Sequence, residues 1–220
     1  MIIGENFVWL HLPKTAGDST RLAVERYASE TYSVEWRDPH CHFNFDDAAR
    51  EKLINPREDQ RVCVNFRSLV DWMHSFSAFR GIKQEYSVED ALPFMREGAV
   101  LDYEPYWANR FAQRYKRLEL QIDSQGRAFY IIPCDYFLKY FIHDSQGKEF
   151  KNLNLLRVTH LEEDIHKYFS IDKDCRAALE RKLNSSCYKK TEFTPIEVER
   201  IYFNNPVWAS LEERLKDLDG

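Results

Sequence analysis

The chain has 220 residues, 44% of them apolar and 30% charged, a balance that excludes a disordered chain and fits a folded one able to bury its own core. Its 31 basic residues against 36 acidic ones leave a net charge of −5, which argues against a partner tracked as a polyanion, whether nucleic acid or a membrane surface. The five cysteines are odd in number and lack CxxC spacing, so neither a disulfide framework nor a structural zinc site is expected, and reduced thiols in the cytoplasm are.

No apolar run approaches the ~20 residues that span a bilayer, and the segment before Leu12 carries neither a basic stretch nor a small-residue cleavage site, so no secretory signal is expected. Phe7 to Leu12 is almost wholly apolar and stops at Pro13, the pattern of a strand buried on both faces, as in a parallel sheet. From Ser19 the apolar Leu22, Ala23 and Tyr27 recur at helical spacing. Thr31 to Trp36 reads as a second strand and Asp46 to Ile54 as a helix; Arg61 to Phe66 reads as a strand leading into a helix from Val70 to Phe79.

Residues Ser87 to Tyr115 read as helical and aromatic, opened by a capping box in Ser87-Val88-Glu89-Asp90. Phe129 to Ile132 and Leu153 to Val158 are further strands, with a turn at Asp144-Ser145-Gln146-Gly147 between them. Helices follow over Leu161 to Phe169 and Cys175 to Leu183, and another begins at Thr194-Pro195-Ile196-Glu197, where Thr194 caps and Glu197 completes the box. Strands alternating with helices, without linker or repeat, predict one α/β domain over residues 1–220.

The chemistry concentrates in Pro13-Lys14-Thr15-Ala16-Gly17-Asp18-Ser19-Thr20, between the first buried strand and its helix. Helix N-terminal amides, a glycine, a lysine and the hydroxyls of Thr15, Ser19 and Thr20 together make an anion cradle. The segment is not a Walker A loop, because Lys14 precedes Gly17 and no glycine opens it. Downstream, Arg67 ends a strand and Ser75 follows eight residues later in the next helix, a spacing that lets both converge on one phosphate. Between these motifs lies His40-Cys41-His42. Its histidines suit proton transfer near neutral pH; they also fit surface, core or metal-binding roles, of which metal is the least supported, since no further ligand cluster accompanies them.

The string His11-Leu12-Pro13-Lys14-Thr15-Ala16-Gly17-Asp18-Ser19-Thr20 resembles the 5′-phosphosulfate loop of sulfotransferases that use 3′-phosphoadenosine 5′-phosphosulfate (PAPS), in particular the carbohydrate branch. Arg67 and Ser75 resemble that family's 3′-phosphate site, and His40-Cys41-His42 resembles the His-x-His of heparan sulfate and uronosyl 2-O-sulfotransferases. Weaker likeness runs through residues 155–169 and through Asn184-Ser185-Ser186-Cys187-Tyr188-Lys189-Lys190. The resemblance implies a P-loop-NTPase-like three-layer fold, a central parallel sheet flanked by helices. It implies that PAPS is the cosubstrate, PAP the product, and a hydroxyl-bearing acceptor, a saccharide by likeness, the second substrate.

In that reading residues Lys14, Thr15, Ala16, Gly17, Asp18, Ser19 and Thr20 hold the 5′-phosphosulfate, with Lys14 neutralising the leaving oxygen. Arg67, Ser75, Lys189 and Lys190 complete the nucleotide site. His42 is the base, with His40 in support, and no metal is required. Trp36, Phe43, Phe45, Tyr103, Tyr106 and Trp107 are aromatics that stack on a sugar or fill the core. Three positions depart from the family: Asp18 for a threonine, Leu69 for a proline and Trp72 for an arginine. Asp18 either faces the anion or caps the helix. A P-loop kinase or other NTPase, and an inactive PAP(S)-binding module, are the alternative readings.

Overall fold

A computed structural model describes the chain except residues 29–31, 38–39, 58, 83–85, 104–105, 116–117, 170, 172–173, 180–190 and 217–220. From the N-terminus, β1 (Ile2–Gly4) and β2 (Phe7–Leu10) precede α1 (Gly17–Tyr27), β3 (Tyr32–Val34), α2 (Phe45–Arg50) and β4 (Arg61–Phe66). The middle holds α3 (Leu69–Ile82), α4 (Val88–Met95), β5 (Ala99–Asp102), α5 (Tyr106–Ala112), β6 (Glu119–Ile122) and β7 (Ala128–Pro133). Then come α6 (Cys134–Ile142), β8 (Leu153–Arg157), α7 (Leu161–Phe169), α8 (Arg176–Leu179), α9 (Pro195–Phe203) and α10 (Pro206–Lys216). The protein is α/β, with a mixed five-strand sheet and a smaller antiparallel one.

The chain divides into two compact units, each discontinuous: Met1–Arg67 with Tyr140–Ser185, and Ser68–Lys139 with Ser186–Gly220. The first is built on the sheet β3-β1-β2-β4-β8. Strands β2, β4 and β8 pair in parallel, with Trp9 opposite Cys63 and Cys63 opposite Asn154. β1 pairs antiparallel with both β2 and β3. The expected central parallel sheet holds for β2, β4 and β8, and β1 makes the sheet mixed, because the chain turns back at Glu5-Asn6 into a tight β1–β2 connection that allows only antiparallel pairing.

Alternation along β2 sends Phe7 and Trp9 to one face and Val8 and Leu10 to the other, and all four are buried. Phe7 and Trp9 join Cys63, Leu156, Ala23 and Val24 of α1, and Leu161, Ile165 and Phe169 of α7, in one core. Each large side chain sealed there is worth about 1.5–3 kcal/mol of apolar burial.

The second unit carries the sheet β5-β7-β6, antiparallel throughout. The expected helical run from Ser87 to Tyr115 is corrected here. The capping box of Ser87 and Asp90 does open α4, but Gly98 (φ 72°) ends that region and Ala99–Asp102 forms a buried strand before α5. Trp72, Phe76, Trp107, Phe111, Phe137 and Trp208 pack ring against ring at its centre, so Trp107 is core and not a sugar platform. The buried Asp102 carboxylate accepts from the amides of Trp107 and Ala108 and pairs with Arg80 at 3.3 Å, which fixes the start of α5. At α9 the Thr194–Glu197 capping box forms as expected, with Pro195 in the first turn.

Candidate functional site

The Pro13–Thr20 segment leaves the carboxyl end of β2 and enters α1. Lys14 and Ala16 hold φ angles of 66° and 61°, whereas Thr15 and Gly17 have negative φ. A left-handed conformation costs an L-residue roughly 1–2 kcal/mol, so both residues are held there by their surroundings. Positive φ at Lys14 and Ala16 alternating with negative φ at Thr15 and Gly17 is the handedness pattern of a backbone nest, placed at the positive end of α1.

Asn65 of β4 holds this loop. Its amide nitrogen donates to the Thr15 carbonyl at 2.6 Å and to the Thr20 hydroxyl at 2.7 Å, and its oxygen accepts from the Trp9 indole at 2.8 Å. The Thr15 hydroxyl donates to the Leu12 carbonyl at 2.6 Å and that of Thr20 to the Ala16 carbonyl at 3.2 Å. Both threonines are fully buried, so their hydroxyls shape the loop from behind. Ser19 is half-buried, and its hydroxyl makes no hydrogen bond among the described residues.

Ala16 is the N-cap of α1 and no side chain caps it. Asp18 therefore does not take the capping role; it stands half-buried in the first turn, where the helix dipole favours its charge.

Gly17 meets a requirement different from the close approach of an anion. A Cβ there would lie 2.0 Å from Nε2 of His11, so only glycine fits beneath that imidazole. His11 stacks on Trp36 and on His42, with ring centroids 4.8 Å and 4.6 Å apart, and on Trp9 at 5.5 Å. The Arg21 guanidinium lies 4.9 Å from the Trp36 ring. The Nδ1 atom of His11 is sealed from solvent without a partner. Burial, then the neighbouring His42, hold its pKa well below the ordinary histidine value, so the ring is neutral.

The two histidines of the 40–42 turn separate. His42 Nδ1 lies 3.2 Å from the His11 carbonyl oxygen, which brings His42 against the strand end that launches the loop. His40 instead faces Glu35 at 3.7 Å and packs on Phe43. The Met1 amino group donates to the carbonyls of Glu35 and Cys41 at 2.9 and 3.3 Å, which fastens this turn from below; burial pushes that amine down to about 5. His40, Cys41 and His42 do not converge as a three-ligand set among the described residues.

Arg67 follows β4 directly, and its guanidinium donates to the Lys14 carbonyl at 3.3 Å. Arg67 and His42 thus meet the backbone of this segment at two points within the first unit, the carbonyls of Lys14 and His11. Ser75 is buried in α3 and belongs to the second unit. Lys189 and Lys190 lie outside the described residues. His11 and Asn65 are the residues that motif reading left without a role. Asn65 had a sequence signal, as a polar side chain inside the apolar run Arg61–Phe66; His11 had its place in the loop string and nothing more.

The fold defines an α/β protein in which a turn with left-handed Lys14 and Ala16 joins the end of a parallel strand to a helix. Comparison of the chain with protein-family models, curated proteins and solved structures returns no match. No helix among the described residues is long and apolar enough to cross a membrane.

Proposed function

We propose that the chain is a PAPS-dependent sulfotransferase acting on an acceptor hydroxyl, a saccharide by its resemblance, on a P-loop-NTPase-like scaffold. The observation that carries this reading is the alternating backbone from Lys14 to Gly17, with the Arg67 guanidinium on the Lys14 carbonyl and His42 on the carbonyl of His11. The parallel β2–β4–β8 order, with the loop after β2, supports the same reading.

These residues suit a nucleotide carrying phosphate at two ends. The amides of the loop and the Ser19 hydroxyl hold one anionic group, and Arg67 offers a planar donor to a second. PAPS supplies the activated sulfuryl group. The acceptor oxygen forms the new bond to sulfur as the bond from sulfur to the phosphate oxygen breaks, and PAP departs. Lys14 offsets the charge left on that phosphate oxygen. His42, with its hydrogen on Nδ1, takes the acceptor's proton on Nε2. Ser75 is assigned to the 3′-phosphate by resemblance alone.

Thermal denaturation with PAP, ATP and adenosine 5′-phosphosulfate tests this. PAP is expected to raise the midpoint by several degrees and nucleotides lacking a 3′-phosphate much less. Equal shifts overturn the assignment, and a shift with magnesium ATP alone moves the chain to the kinase or NTPase reading. Asp18, a carboxylate in the first turn, favours a second reading, an inactive PAP-binding module. PAP binding without turnover of PAPS on a panel of sugars and phenols would select it.

A further inference from the structure

A second group of side chains in the first unit has the composition of a metal centre. Glu162 and His166 stand one turn apart on α7, so they share a face, and Cys175 lies immediately before α8. One ligand atom from each, a carboxylate oxygen, Nε2 and Sγ, lies within 4.8 Å of the other two. Nε2 of His166 is 3.9 Å from Oε1 of Glu162 and 3.9 Å from Sγ of Cys175. The other ring nitrogen, Nδ1, faces the Ile171 carbonyl and donates to it. In the neutral ring that bond fixes the tautomer: Nε2 carries the lone pair, on the side of the thiol and the carboxylate. A histidine held through one nitrogen by a backbone carbonyl is the usual support of a metal-ligating ring.

We propose that Glu162, His166 and Cys175 bind a zinc-class divalent cation that ties α7 to α8. Carboxylate, imidazole and thiolate in one set favour zinc over magnesium or calcium, which take oxygen ligands. With bonds of about 2.0–2.3 Å, ligand atoms on a tetrahedral zinc stand roughly 3.4–3.6 Å apart, so the 3.9 Å edges close by a few tenths of an ångström. A water completes the fourth position. As the sulfur–metal bond forms, the thiol proton of Cys175 passes to solvent. Cys175 is buried, whereas Glu162 and His166 are each 33% exposed, so the ion reaches the group from their side.

Arg176 is the competing charge. Its Nε donates to both carboxylate oxygens of Glu162 at 3.2 and 3.1 Å, and it also faces Asp174 at 4.0 Å. One oxygen of Glu162 turns to the metal while the other keeps the arginine, a second-sphere contact that holds the ligand's orientation. The site does not depend on the sulfuryl-transfer reading.

The test is a cobalt titration of the whole, metal-stripped chain, followed by displacement with zinc. Wild type is expected to develop a near-ultraviolet thiolate-to-cobalt band and tetrahedral visible bands saturating at one equivalent, both erased by zinc. Cys175→Ser is expected to lose the thiolate band, and Glu162→Gln to weaken zinc at least tenfold while keeping the wild-type far-ultraviolet circular dichroism. A wild type without the band, or the same band in Cys175→Ser, overturns the site. Where Cys175→Ser does not fold, the surface variant decides, and unchanged zinc affinity in Glu162→Gln overturns the site equally.

Discussion

Nδ1 of His42 lies 3.2 Å from the carbonyl oxygen of His11, and a carbonyl only accepts, so the hydrogen of a neutral His42 sits on Nδ1 and its lone pair on Nε2. The backbone that launches the Pro13–Thr20 loop thereby sets the tautomer of the proposed base. His42→Ala is expected to lower PAPS turnover by about 10²–10⁴-fold while leaving the PAP-induced thermal shift intact. Arg67→Ala is expected to do the reverse, losing most of the shift. A His42→Ala enzyme that turns over at the wild-type rate would move the base to another residue.

Gly17 and His11 form a second coupled pair. A methyl at position 17 would sit 2.0 Å from His11 Nε2, on a ring that stacks with Trp36 and with His42. Gly17→Ala is expected to cost about 1–3 kcal/mol in urea denaturation, the usual penalty of overpacking. His11→Ala should relieve it, so the double variant will be more stable than the sum of the two losses predicts. Strict additivity would show that the ring moves aside freely.

How much of this was legible in the sequence depended on the range of the interactions. The run Arg61–Phe66 declared its strand because both faces are buried and every position after Arg61 is apolar except Asn65, whose partners Trp9, Thr15 and Thr20 lie about 45 to 56 residues away in the chain. β5 stayed hidden because four buried residues, Ala99 to Asp102, are too few to display an alternation. β6 stayed hidden because Glu119, Leu120 and Ile122 are exposed and carry no core signal. In the loop, order and residue types were readable, but left-handed Lys14 and Ala16 were not, since neither residue prefers that conformation. The Glu162, His166 and Cys175 cluster escaped motif reading because its spacing in the chain follows no familiar ligand pattern.

Asn65 answers three buried polar groups at once, so its replacement exposes the logic of the knot. Asn65→Leu keeps the branched outline but strands the Trp9 indole, the Thr15 carbonyl and one side of Thr20. The expected loss is roughly 3 kcal/mol, taking about 1 kcal/mol or more for each orphaned group. Because the strained backbone at Lys14 and Ala16 is held from this side, anion affinity should fall with it. A folded Asn65→Leu that still shows the full PAP shift would locate the support of the loop elsewhere.

The pH dependence of stability follows from His11 and the Met1 amine. Both have folded-state pKa values pushed down, chiefly by burial, His11 from 6.5 and the amine from 8.0 to about 5. Below its unfolded value each group is protonated in the unfolded chain and neutral in the folded one, so the unfolded state binds more protons and stability falls as pH falls. The contribution of the amine is complete above pH 8 and drains away down to about 5; that of His11 is complete above about 6.5 and drains below it. Each group contributes a slope of up to about 1.4 kcal/mol per pH unit inside its window. Urea midpoints between pH 8.5 and 5.0 are expected to decline for the wild type, and more gently for His11→Gln only below about pH 6.5. Parallel profiles for the two proteins across that range would mean that His11 titrates alike in both states, and would remove the neutral ring from the stack against His42.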